Sequence, residues 1–258
     1  AWACKLKKIK CISLSHQAAV LNKHFAQPGK IDLLGKAILK NYAPTSEKYG
    51  FHFKTVNETV FTPVIRRQVR EHEVENKGHY TVYLPAYDDN RILNVLKKCT
   101  NTRWQVFSKH NKKKYRVKNI TFQPINNEAF IESIATAEGV LCGAGFETPA
   151  EVLFMNKKLL VIPMKGQYEQ QCNAAALAEM GVPVLKSLKL KHLEKINNWI
   201  DSTALIEVDY PDRTSEIVNT ILLNHSITTG AEIRQPYMKL YSVNKFRNLV
   251  LKKMAAYI

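Results

Sequence analysis

Four side chains in this chain of 258 residues, Glu151, Glu169, Gln170 and Asn173, are of the type that holds hydroxyl groups, and all fall between positions 140 and 181. Carboxylates accept several hydrogen bonds and side-chain amides both donate and accept, which suits a ribose diol or a sugar ring. Positions 170 and 173 would share one face of a helix. The same stretch carries Gly143-Ala144-Gly145-Phe146 ahead of Thr148 and, further on, the polar loop Lys165-Gly166-Gln167. A glycine-rich turn running into a helix N-terminus aims backbone N–H groups at anions, phosphate above all. Phosphate, ribose and a second polyol together make a nucleotide sugar. Each group also has a plainer reading: Glu151 can close a capping box, 170–173 can be a solvated helix start, and the glycines can be turn residues.

The elements that would position these groups follow from the local pattern. Residues 140–142 form an apolar strand, and Gly143-Ala144-Gly145 turns the backbone sharply. Thr148 is the expected N-cap, with Pro149 at the first helical position and Glu151 three residues after the cap, in a helix ending near Asn156. A second apolar strand at 159–162 ends in Pro163, and a helix from about Glu169 to Met180 stops at Gly181. Strands joined through helices lie parallel, and such sheets bind ligands beyond their carboxyl ends.

The order Gly145, Thr148, Glu151, Pro163, Glu169-Gln170 and Asn173-Ala174 resembles the donor-binding half of GT-B glycosyltransferases, in particular the family 28-like group that contains the bacterial lipid-linked GlcNAc transferase of cell-wall synthesis. The resemblance implies an α/β fold of two Rossmann-like domains with parallel sheets and transfer from a nucleotide-diphosphate donor, a UDP-sugar, to an acceptor hydroxyl. It implies that Glu151 holds the ribose, that Glu169 and Gln170 hold the donor sugar, and that the loop before the 127–137 helix contacts the base, which points to Ile125. No Asp-x-Asp motif offers a metal site, so no metal or other cofactor is expected. The alternatives are a non-catalytic donor-binding subunit of a split transferase and a UDP-sugar 2-epimerase of the same fold.

Composition narrows the class. Hydrophobic residues make up 45% of the chain, enough for a packed core. Five cysteines without a CxxC pair argue for a reducing compartment and against a structural zinc site. No apolar run approaches the roughly 20 residues of a membrane helix, so a cytoplasmic protein is expected. The formal net charge of +16 suits phosphate-bearing substrates or weak contact with an anionic membrane. The densest basic run, 109–118, reads as an exposed loop, and no zinc-finger, helix-turn-helix or RNP-like signature supports a nucleic-acid partner. The acceptor implied is lipid-linked or phosphate-bearing.

The remainder of the chain supplies the surrounding frame. Residues 1–8 read as the end of a helix and 9–14 as a strand followed by His16, a candidate acid–base or acceptor residue whose plain reading is a structural histidine. A helix is expected at 31–39, with extended pieces at 51–53 and 60–61. Arg66, in the proline-containing passage after them, is a candidate for reaching the donor phosphates or else a solvated linker charge. Alternating strands and helices follow: strands at 81–84, 104–107, 120–122 and 182–185, and helices at 91–98, 127–137, 190–200 and 213–224. The domains expected are 1–65, a remnant of an acceptor-side domain; 66–78, a linker; 79–225, the donor domain; and 226–258, a segment whose basic helix at 237–257 crosses back to the first domain or lies on a membrane. The N-terminal domain is expected to be truncated.

Overall fold

The computed structural model describes residues 1–225. Through the linker the elements are α1 (Trp2–Leu6), β1 (Ile12–Ser15), α2 (His16–Val20), α3 (Leu33–Tyr42), β2 (Glu47–Phe51), β3 (Val60–Phe61) and α4 (Arg67–Arg70). Next come β4 (His79–Tyr83), α5 (Asp89–Leu96), β5 (Arg103–Ser108), β6 (Tyr115–Val117), β7 (Ile120–Pro124) and α6 (Asn127–Thr136). The remainder is β8 (Gly139–Gly143), α7 (Glu147–Phe154), β9 (Lys158–Ile162), α8 (Tyr168–Glu179), α9 (Leu193–Asp201) and α10 (Thr214–His225). One compact unit, Ala1–Thr214, holds both sheets; α10 opens a second unit. The segment 226–258 with its expected helix lies outside the described residues.

Strands β1, β2 and β3 form a small parallel sheet. The larger sheet has the order β6-β7-β5-β4-β8-β9, parallel except for β6. Buried on both faces, its inner strands carry the near-continuous apolar runs such sheets require: all five residues of β9 are buried, as are Val140, Leu141 and Cys142 of β8. One face packs under α6, α7 and α8 through Ile134, Val140, Leu153 and Leu177; the other packs under α5 and α9 through Leu96, Trp104, Leu160 and Ile196. Four helices start on side-chain caps, where Ser15, Asp32, Asp88 and Asn126 accept from a backbone N–H three residues on.

Three expectations are corrected here. Residues 182–185 form no strand; Val184 makes a single parallel bridge to Val161. The basic run 109–118 is not wholly loop, because 115–117 form β6 in a hairpin with β7, anchored by Asp89, which accepts from the Tyr115 hydroxyl at 2.9 Å and the Ser108 hydroxyl at 2.6 Å. Helix α7 begins at Glu147 with Phe146 in the cap position and no side-chain cap, so Thr148 is not an N-cap and no capping box forms. The first four N–H groups of a helix need no intrahelical partner, so Pro149 is tolerated anywhere in that turn and does not fix the start.

Candidate donor-binding site

The chain moves from β4 to β5 on one side and later returns to lay β8 on the other side of β4. This reversal is the switch point where an open α/β sheet leaves a crevice beyond its strand ends. The carboxyl end of β8 leads into 143–147, and that of β9 into 163–167. The ends of β1 and β2 contribute His16, His52 and Phe53 from the small sheet.

Glu151 sits one turn into α7, 4% exposed. Arg66 grips it with two bonds, Nε to Oε1 at 2.6 Å and Nη2 to Oε2 at 2.9 Å, and its Nη1 donates to Asn127 Oδ1 at 2.7 Å. Arg66 is thus not a solvated linker charge; three of its five N–H donors join the linker to the first turns of α6 and α7. Burial pushes the Glu151 carboxyl above its ordinary value while Arg66 pulls it back, and the guanidinium is held more firmly charged by that bond. Fork geometry makes such a pair both strong and directional.

His16 has both ring nitrogens engaged. Nδ1 lies 2.8 Å from the Phe51 carbonyl and Nε2 lies 2.8 Å from Asn173 Oδ1. Its ring stacks on Phe146 at 3.8 Å with planes 7° apart. Asn173 is fully buried and donates through Nδ2 to the Ala144 carbonyl at 3.1 Å. Ala144 O and Phe51 O can only accept, so the pattern calls on both imidazole nitrogens to donate, which only the charged ring does. Burial nonetheless lowers the His16 pKa, with Phe51, Glu169, Asn173 and Glu147 opposing it in that order. In this arrangement both nitrogens of His16 have partners, and Asn173 is engaged through Oδ1 and one hydrogen of Nδ2. Together they pin the small sheet to the loop after β8. Burial, then His16 and Lys54, depress the pKa of the neighbouring His52 to about 3.

The remaining candidates lie on the loops after β7, β8 and β9 and on the first turn of α8. Lys165, Gly166 and Gln167 are exposed, and Gly166 takes φ +79°, in the left-handed region where glycine is favoured. Gln170 Oε1 accepts from the Met164 N–H at 2.9 Å, shaping the loop. Glu169 is half-buried, 3.4 Å from Gln17 Nε2. Ile125 stands exposed in the loop before α6. Gly143 ends β8 and the backbone bends at Ala144 and Phe146 as expected, although neither Gly143 nor Gly145 takes positive φ. A Cβ on Gly145 would meet no atom within 4 Å: its open side faces space, which backbone approach by a ligand would use. Asn127, Gln17, His52 and Phe53 were not among the sequence candidates. Each matters through a partner distant in sequence, and no local pattern marks such a partner.

The family model for glycosyl transferase family 1 matches residues 2–202. The chain belongs to this family. Among solved structures, MurG from Acinetobacter baumannii is similar at 14% identity and a TM-score of 0.52, over 86% of this chain and 68% of that one. At that score and identity the likeness shows the fold, which is GT-B. Weaker likenesses include Arabidopsis thaliana UGT89C1 complexed with UDP, at 11% identity and TM-score 0.44 over 79% of this chain and 61% of that one. Another is the glycotransferase of kitacinnamycin, at 11% identity and TM-score 0.43 over 57% and 43%. The chain thus spans less than half of the last and about two thirds of MurG. No curated protein matches it significantly.

Proposed function

We propose that this chain transfers a sugar from a UDP-sugar to an acceptor hydroxyl without a metal ion. The observation that carries the reading is Glu151, a buried carboxylate at the switch point whose geometry is set by Arg66. A ribose diol presented to its outer edge would find an acceptor already oriented, which lowers the cost of binding. The uncapped N-terminus of α7 and the open side of Gly145 suit the diphosphate, and Lys165 supplies a cation on the opposite loop. Glu147 in the same first turn works against a phosphate there, so the donor's charge is expected nearer Gly145 and Lys165. As the leaving nucleotide gains charge, these donors would stabilise it. Glu169 and Gln170 would meet the sugar. Among the described residues no three His, Cys, Asp or Glu side chains converge as a metal site would need.

The proposed acceptor is lipid-linked or phosphate-bearing, and the proposed location is cytoplasmic with weak adsorption to anionic membranes through the 109–118 hairpin. No helix among the described residues is long and apolar enough to cross a membrane. With His16 engaged at both nitrogens, a second reading is favoured by one observation: a subunit that binds the donor while another chain supplies the base. Calorimetry with UDP in EDTA, followed by turnover of a labelled UDP-sugar by the full-length gene product, tests both. Binding with transfer supports the enzyme, binding without transfer the subunit, and absence of binding removes both.

A further inference from the structure

Elsewhere on the large sheet, strands β5, β7 and β6 carry a groove of about 490 Å³ against α6. Its lining breaks a rule of the fold. A doubly wound sheet buries apolar side chains on both faces, and the face of these strands toward α5 obeys with Trp104, Val106, Ile120 and Phe122. On the α6 face the alternating positions are Arg103, Gln105, Thr121, Gln123 and Arg116, with His79 on β4. The register lays Gln105, Thr121 and Arg116 side by side across three strands, whose spacing is roughly 4.8 Å.

Each arginine is exposed and makes one hydrogen bond to a backbone carbonyl. Arg103 Nη2 donates to the Lys77 carbonyl and Arg116 Nε donates to the Lys118 carbonyl at 2.9 Å, leaving the other guanidinium donors to the groove. The carboxylate among the lining residues, Glu132, lies 3.3 Å from Lys77 Nζ and 3.2 Å from His72 Nε2. Two guanidinium groups without carboxylate partners, held at the edge of a floor of amide and hydroxyl groups, suit an anion that also carries hydroxyl groups. Guanidinium takes phosphate oxygens in pairs, and side-chain amides and threonine take hydroxyls that both donate and accept.

We propose that this groove binds a phosphorylated polyol, with the phosphate on Arg103 and Arg116 and the hydroxyls on Gln105, Thr121 and Gln123, at a site separate from the donor crevice. Two sources share that chemistry, a soluble sugar phosphate and a polyol phospholipid headgroup. The test is calorimetry of the whole chain with glucose 1-phosphate, inorganic phosphate and glucose, and sedimentation with phosphatidylinositol vesicles against phosphatidylcholine vesicles. Glucose 1-phosphate should bind more tightly than either of its parts. R103Q/R116Q should weaken it by about tenfold or more, and Thr121→Val, a near-isosteric change, should weaken it less, while UDP binding stays as in the parent. Capture by phosphatidylinositol vesicles, lost in R103Q/R116Q, identifies the headgroup as the source; binding of the soluble phosphate alone identifies a metabolite. Equal binding of glucose 1-phosphate by the parent and R103Q/R116Q would overturn the proposal. So would displacement of glucose 1-phosphate by UDP at a shared site, or no saturation by any probe in the millimolar range.

Discussion

Replacing Glu151 by glutamine changes one oxygen to an NH2 in a side chain that Arg66 holds at both oxygens, at 2.6 and 2.9 Å. Glutamine keeps one acceptor for Nε and turns the second contact into donor against donor. Hydrogen bonds to a charged group contribute about 1.5–3 kcal/mol each, against about 0.5–1.5 for neutral ones. Two effects reduce the loss: the Arg66 side chain is 30% exposed and can recruit water, and neutral glutamine is cheaper to bury than the carboxylate. The net cost is about 1.5 kcal/mol, or roughly 3–6 °C in Tm for a unit of this size. Arg66→Met is the harsher change, because it strands the more deeply buried partner; breaking such a pair costs about 3–5 kcal/mol. Burial already raises the Glu151 pKa, and without Arg66 it rises further. A group whose folded pKa is raised contributes stability at low pH and loses it as pH rises through that value. The Arg66→Met deficit should therefore shrink as pH falls toward 4, while the Glu151→Gln deficit should widen, because the parent gains stability from its raised Glu151 pKa and glutamine does not titrate. Melting by circular dichroism across pH, with UDP calorimetry in parallel, reads both arms. If Glu151→Gln melts with the parent, the ion pair contributes nothing and the reasoning fails. If it melts lower but binds UDP as tightly as the parent, Glu151 is structural and the ribose assignment goes.

Three further outcomes are expected. Gly145→Val should leave Tm within about a degree, since a Cβ meets nothing there, and should weaken UDP binding several-fold; unchanged affinity would move the diphosphate elsewhere. Gly50→Ala brings a Cβ to 2.5 Å from the Ala19 Cβ and 2.8 Å from its backbone N, so overpacking should destabilise by about 1–3 kcal/mol in denaturant melts, and a neutral result would contradict the α2–β2 packing. His52 has its pKa depressed from 6.5 to about 3, so between those values the unfolded chain holds the proton and stability falls as pH falls, by up to about 1.4 kcal/mol per unit; His52→Phe, which can keep the stack on Phe25, should flatten that slope in urea titrations.

The parallel architecture was legible because it is written locally. The apolar run 159–162 and the Gly181 stop are period and turn signals, and β9 and the end of α8 stand where they indicate. The ordered set from Gly145 to Asn173 falls on consecutive βα segments, whose loops collect at one sheet edge whatever the sequence between them. What each side chain does there was decided by partners far along the chain. Glu151 meets Arg66 across 85 positions, and His16 meets Asn173 across 157. A carboxylate three residues after a threonine looks like a capping box until a guanidinium claims both its oxygens. A histidine after a strand looks like a base until a carbonyl and a buried amide occupy its nitrogens. The polar face behind β5 and β7 was hidden for the same reason. Arg103, Gln105, Thr121 and Gln123 alternate with apolar neighbours as any half-exposed strand would, and only the sheet order shows that they line one groove. Period follows from geometry along a strand, whereas partnership depends on how distant segments pack.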